Sequence, residues 1–179
     1  MATLRETTAA METVKGLRPG RAVYVARELQ SRGMLPLGPQ GPSQHAPHLS
    51  PEQMALYLIA LSCPGPAPEA AAMAETMAGL QCDDSPWQNF LEALAYFITE
   101  RGHGPDTFVE QIAFSFDASY PTATILVYGD GDCLNRHEFE SWADYDRRPP
   151  TIARGAVVDG DIIARLARLH RVRAVGADL

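Results

Sequence analysis

Residues 107–130, TFVEQIAFSFDASYPTATILVYGD, are where the periodicity of this chain changes. Ile112, Phe114 and Phe116 alternate with Ala113 and Ser115, and Thr122, Thr124, Leu126 and Tyr128 alternate with Ala123, Ile125 and Val127. A two-residue period puts successive side chains on opposite faces of a strand. Asp117–Pro121 between the runs is turn-like, so the pair is predicted as an antiparallel hairpin. Residues 129–132, Gly-Asp-Gly-Asp, read as the next turn, and CLNRHEFESW (133–142) as a third, weaker strand. Pro149 and Pro150 punctuate the chain. Asp159 then stands ready to cap a last helix carrying Ile162, Ile163, Leu166 and Leu169, with Arg165, Arg168, Arg171 and Arg173 on or near its outer side.

Upstream of residue 107 the spacing is helical. Residues 3–15 suit a short polar helix, broken by Gly16 and Pro19-Gly20. The next helix runs from Arg21 to Arg32, with Val23, Ala26 and Leu29 three apart and Val25 four before Leu29. Arg27 and Arg32 lie off that stripe, Gly33 suits a C-cap, and Pro36 prevents the helix from resuming. Ser50-Pro51-Glu52-Gln53 is a capping box with proline at the first helical position, and it opens an apolar core helix that ends at Cys63-Pro64. A third helix spans Pro68 to Leu80, with Met73, Met77 and Leu80 on one face. Ser85-Pro86-Trp87-Gln88 reads as a second capping box for a helix reaching about Glu100. The predicted fold class is therefore α+β. An N-terminal helical bundle, a helix-turn-helix-like variant, covers 1–101, and a small antiparallel hairpin or sheet with a C-terminal helix covers 106–179.

Composition narrows the function. A hydrophobic content of 46% belongs to a globular chain. The longest apolar run, MALYLIALSC (54–63), is far short of the roughly 20 residues that span a bilayer, and the first sixteen residues hold no apolar signal region. A cytoplasmic protein with no membrane contact is expected. The three cysteines, Cys63, Cys82 and Cys133, are widely spaced and form no CxxC pair, so buried thiols are expected rather than disulfides or zinc.

The chemistry-bearing motifs mostly fail. An EF-hand loop started at Asp130 would need an oxygen ligand where Leu134 stands, Gly where Asn135 stands and Glu where Ser141 stands. His137 and Glu138 would point to opposite faces of a strand. No G-x-S-x-G, no P-loop and no G-x-G-x-x-G occurs, and Lys15 is the only lysine. No catalytic residue, metal or cofactor is assigned, and the protein is expected not to be an enzyme.

Charge is segregated along the chain. Residues 1–50 carry six Lys or Arg against three Glu, a net +3; residues 51–160 carry five Arg against seventeen acids, a net −12; residues 161–179 carry a net +2, within a total of −7. A basic head points to a polyanion. Arg18 and Arg21 flank a helix start, where phosphate binds well, and Arg27 and Arg32 follow on the same element. The loop Pro36–His48 is far longer than the three or four residues of an ordinary helix-turn-helix turn.

The segment VARELQSRGMLP, its loop closing on Ala46-Pro47, and HLSPEQMALYLIALS resemble the N-terminal part of small uncharacterised phage and prophage proteins of alphaproteobacteria. The matching positions are Ala26, Arg27, Leu29, Gly33, Leu35, Pro36, Ala46, Pro47, Leu49, Ser50 and Leu58 to Leu61, within about residues 20–62. The resemblance implies a phage-type DNA-binding protein, a transcription regulator or small packaging subunit. Such a loop would be expected to carry Arg or Lys, whereas here it carries Gln40, Gln44, His45 and His48. Duplex DNA is accordingly the expected partner, with phosphate contacts at Arg18, Arg21, Arg27 and Arg32 and groove contacts at Gln40, Gln44, His45 and His48. The acidic part is expected to form homo-oligomers or recruit a protein. The alternative is an acidic protein-binding module, an inhibitor or adaptor that uses residues 51–160 against a basic partner.

Overall fold

Side-chain oxygens set most helix starts in this chain. The computed structural model describes residues 2–12, 17, 20–37, 47–83, 85–99, 107–117, 120–129, 133–140 and 155–174. Strand β1 (Ala2–Thr3) leads directly into α1 (Leu4–Met11), opened by a reciprocal capping box between Thr3 and Glu6. Helix α2 (Arg21–Ser31) ends at Gly33, whose φ of 73° lets the Met34 N–H turn back to the Leu29 carbonyl at 2.9 Å. Strand β2 (His48–Leu49) pairs antiparallel with β1. Helix α3 (Pro51–Ser62) begins as expected: Ser50 Oγ accepts the Gln53 N–H at 3.2 Å, and Gln53 Oε1 accepts the Ser50 N–H at 3.0 Å. Helix α4 (Ala67–Ala78) follows after a two-proline turn.

The expected stripe on α2 is shifted. Ala22, Val25, Ala26 and Leu29 are buried, whereas Val23 is 44% exposed. Positions 22, 25, 26 and 29 follow the i, i+3, i+4, i+7 rule, and Val23 lies about 100° round the helix from Ala22. The second expected capping box is also displaced. Helix α5 spans Phe90–Ile98, and its cap is Asn89, which accepts the Glu92 N–H at 2.9 Å. The Phe90 N–H reaches back to the Leu80 carbonyl at 2.8 Å, which bends residues 85–89 away from a helical path. Ser85 closes a local turn instead, accepting the Trp87 N–H at 3.2 Å.

Strands β3 (Phe108–Ser115) and β4 (Thr122–Gly129) form the expected antiparallel hairpin, with a register slip between Val109 and Gln111. Strand β5 (Cys133–Glu140) pairs with β4. Strand β6 (Gly155–Asp159), which sequence periodicity did not indicate, pairs with the other edge of β3. The sheet order is β5-β4-β3-β6, antiparallel throughout. Helix α6 (Gly160–Ala174) leaves β6 without a loop, and the Asp159 carboxylate accepts the Asp161 N–H at 3.0 Å. The architecture is α+β, with six helices and this four-stranded sheet among the described residues. One sheet face, carrying Ile112, Phe114, Ile125, Val127, Phe139 and Val158, is buried against the helices. A single hydrophobic cluster runs from Met11 and Leu29 through Leu58 and Phe90 to Phe114, Ile163 and Leu166. The expected boundary at 101–106 lies outside the described residues.

Tyr57 ties three helices together. Its ring is fully buried on α3, its hydroxyl donates to the Ala22 carbonyl of α2 at 2.8 Å, and it lies 3.1 Å from Thr8 Oγ1 of α1. Burial pushes the phenol up to about 12; the Thr8 hydrogen bond opposes this and the Glu12 charge adds to it. An unfolded tyrosine ionises near 10, so stability should be full below pH 10 and fall as the pH rises toward 12. Tyr57→Phe is expected to cost about 1 kcal/mol at neutral pH and to remove this alkaline loss. Urea unfolding of both proteins at neutral pH and between pH 10 and 12 checks it; parallel alkaline losses would refute the assignment.

Candidate binding surfaces

The structure distributes the head arginines over different tasks. The Arg21 guanidinium donates to the carbonyls of Cys63 and Gly65, just past the end of α3. There it satisfies acceptors that a helix terminus leaves open. Arg32 pairs with Glu28 at 2.9 Å and donates to the Pro68 carbonyl in the first turn of α4 at 3.0 Å. Arg27 stands exposed on α2, beside Val23 and the 67% exposed Tyr24. His48 is exposed on β2, opposite Thr3. Arg18, Gln40, Gln44 and His45 lie outside the described residues. Of Arg21, Arg27 and Arg32, two thus tie parts of the helical layer together by donating from their side chains to backbone carbonyls of other segments.

His137 and its neighbouring carboxylates separate as strand alternation requires. His137 lies opposite Ile125, on the buried face. Glu138 is ion-paired with Arg136, and Glu140 accepts the Tyr120 hydroxyl. Among the described residues, no three His, Cys, Asp or Glu side chains come together as a metal site would need. Cys63 is buried, and its thiol is raised by that burial, with Arg21 acting in the opposite sense. No described helix is long and apolar enough to cross a membrane.

A second surface was not apparent in the sequence. An open cleft of about 420 Å³ lies between the first turn of α3 and α5. Glu52 stands on the α3 side, Glu92 and Tyr96 on the α5 side, and Trp87 borders it from the turn before α5. Trp87 is held by rings from two elements: Tyr96 at 5.4 Å, Phe97 at 5.1 Å and, edge-to-face, His137 at 5.2 Å. Burial lowers the His137 pKa below its ordinary value, so the imidazole beside Trp87 is neutral at pH 7. Glu92 is fixed as well, because its carboxylate accepts the Gln88 N–H at 2.8 Å. Tyr96 is 37% exposed. Aromatic surface rimmed by two carboxylates suits a cation that carries apolar or planar groups. The one available sequence signal was a tryptophan in a polar, proline-bearing stretch between two apolar helices; reading that stretch as a helix cap concealed it. The chain matches no protein-family model, no curated protein and no solved structure.

Proposed function

We propose that this chain is a non-enzymatic protein-binding module, of inhibitor or adaptor type, that captures a basic polypeptide. The observation that carries the reading is the pairing of Glu52 and Glu92 with the aromatic surface of Trp87 and Tyr96 in one cleft, inside a segment of net charge −12 over residues 51–160. An acidic surface steers a basic partner during encounter, and a ring-anchored aromatic pocket supplies short-range affinity once it arrives. The competing reading, duplex binding by the head, has weaker support. Of Arg21, Arg27 and Arg32, two donate to backbone carbonyls, and Arg27 alone of the three has its side chain exposed without such a bond among the described residues.

A salt series with two ligands separates the readings. An arginine-rich peptide is expected to bind at low salt and to weaken steadily as salt rises, and duplex DNA is expected not to bind. The double variant Glu52→Lys, Glu92→Lys should weaken the peptide by at least about tenfold, since it replaces two attractive charges by repulsive ones. Duplex binding at low salt that collapses with rising salt, with no peptide affinity, would replace this proposal by the DNA-binding one.

A further inference from the structure

We infer that the cleft between α3 and α5 seats a single arginine side chain of the partner, its guanidinium laid against Trp87 and held by the carboxylates of Glu52 and Glu92. The inference rests on the protein-binding reading and specifies the ligand group of that same site.

Two observations favour guanidinium over ammonium. Trp87 packs against Tyr96, Phe97 and His137 and also lines the cleft, so an aromatic ring stands at the site before the ligand arrives. A planar, weakly hydrated guanidinium can lie against such a ring and still donate in its own plane, whereas an ammonium is compact and strongly hydrated. The acceptors lie on two different elements, Glu52 in the first turn of α3 and Glu92 in the first turn of α5. A forked donor can address both, and a single ammonium is less suited to two separated acceptors. Glu92 is already oriented by the Gln88 N–H, which leaves lone pairs on the same carboxylate for the ligand. As lined by the described residues the cleft is open, so a side chain projecting from a larger protein can reach it.

The test uses the full chain with Trp142→Phe, which leaves Trp87 as the only tryptophan. Its fluorescence is followed during titration with two peptides that differ at one position, arginine or lysine, in an otherwise uncharged sequence. The arginine peptide is expected to bind about tenfold more tightly than the lysine peptide and to perturb Trp87 emission. Glu52→Gln, an exposed and nearly isosteric change, should weaken the arginine peptide by about fivefold or more while leaving the circular dichroism spectrum unaltered. Equal affinities for the two peptides would overturn the arginine assignment and leave the acidic-module reading standing. Arginine-rich peptide binding that is indifferent to Glu52→Gln and Glu92→Gln would remove the cleft as the site. Failure of every basic peptide, including the arginine-rich one, would defeat the protein-binding reading itself.

Discussion

Phe90→Ala is expected to destabilise the protein by about 3–5 kcal/mol and to bring down helices and sheet together. Phe90 is the first residue of α5, is fully buried, and packs its ring 5.8 Å from Phe114 of β3 and 5.3 Å from Phe139 of β5. It is the point at which the helical layer enters the inner face of the sheet. Truncation removes both ring contacts and leaves a void, because neighbours held on two different strands cannot readily collapse into it. Urea unfolding followed by far-ultraviolet circular dichroism and by tryptophan fluorescence should show one coincident transition, moved to lower urea. Two separated transitions, or a loss below about 1 kcal/mol, would mean that the sheet and the helices are stabilised independently.

Gly160→Ala carries the second large effect, and for a different reason. Its φ is ordinary; the obstacle is space. A Cβ at this position would lie 1.7 Å from the Val109 carbonyl oxygen, 2.7 Å from the Val109 carbonyl carbon and 2.8 Å from the Glu110 carbonyl oxygen. All three are backbone atoms at the register slip of β3, so no rotamer change relieves the contact. Either α6 must lift from the sheet or β3 must shift. A loss of about 3 kcal/mol is expected, at the upper end of overpacking costs, which for a chain of this size lowers Tm by about 6–12 °C. Gly33→Ala serves as the contrast: nothing lies within 4 Å of a Cβ there, and only the positive φ of 73° opposes the substitution. Calorimetry should rank Gly160→Ala well above Gly33→Ala; the reverse order would show that α6 does not abut the β3 slip.

The features legible in the sequence were those governed by residues two to four apart. The Ser50–Gln53 box, the Gly33 stop, the alternation in 107–130 and the apolar face of α6 each depend on local geometry, and each is present. The errors fall where a distant group intervenes. Ser85 had the right local chemistry to cap a helix, but the Leu80 carbonyl takes the Phe90 N–H and Asn89 becomes the cap. Long-range contacts escaped local spacing too: the Arg21 guanidinium, at a helix start, donates to two carbonyls more than forty residues away in the chain.

The α+β class, most helix and strand positions and the segregation of charge were thus determined by the sequence itself, because backbone period, capping and net charge need no knowledge of the distant chain. Only the tertiary structure decided that β6 completes the sheet beside β3, that one hydrophobic cluster runs through helices and strands, and that Trp87, Glu52, Glu92 and Tyr96 meet in one cleft. Pairing between strands forty residues apart, and the approach of a ring from one element to a ring from another, depend on how the whole core packs, and no local period records that.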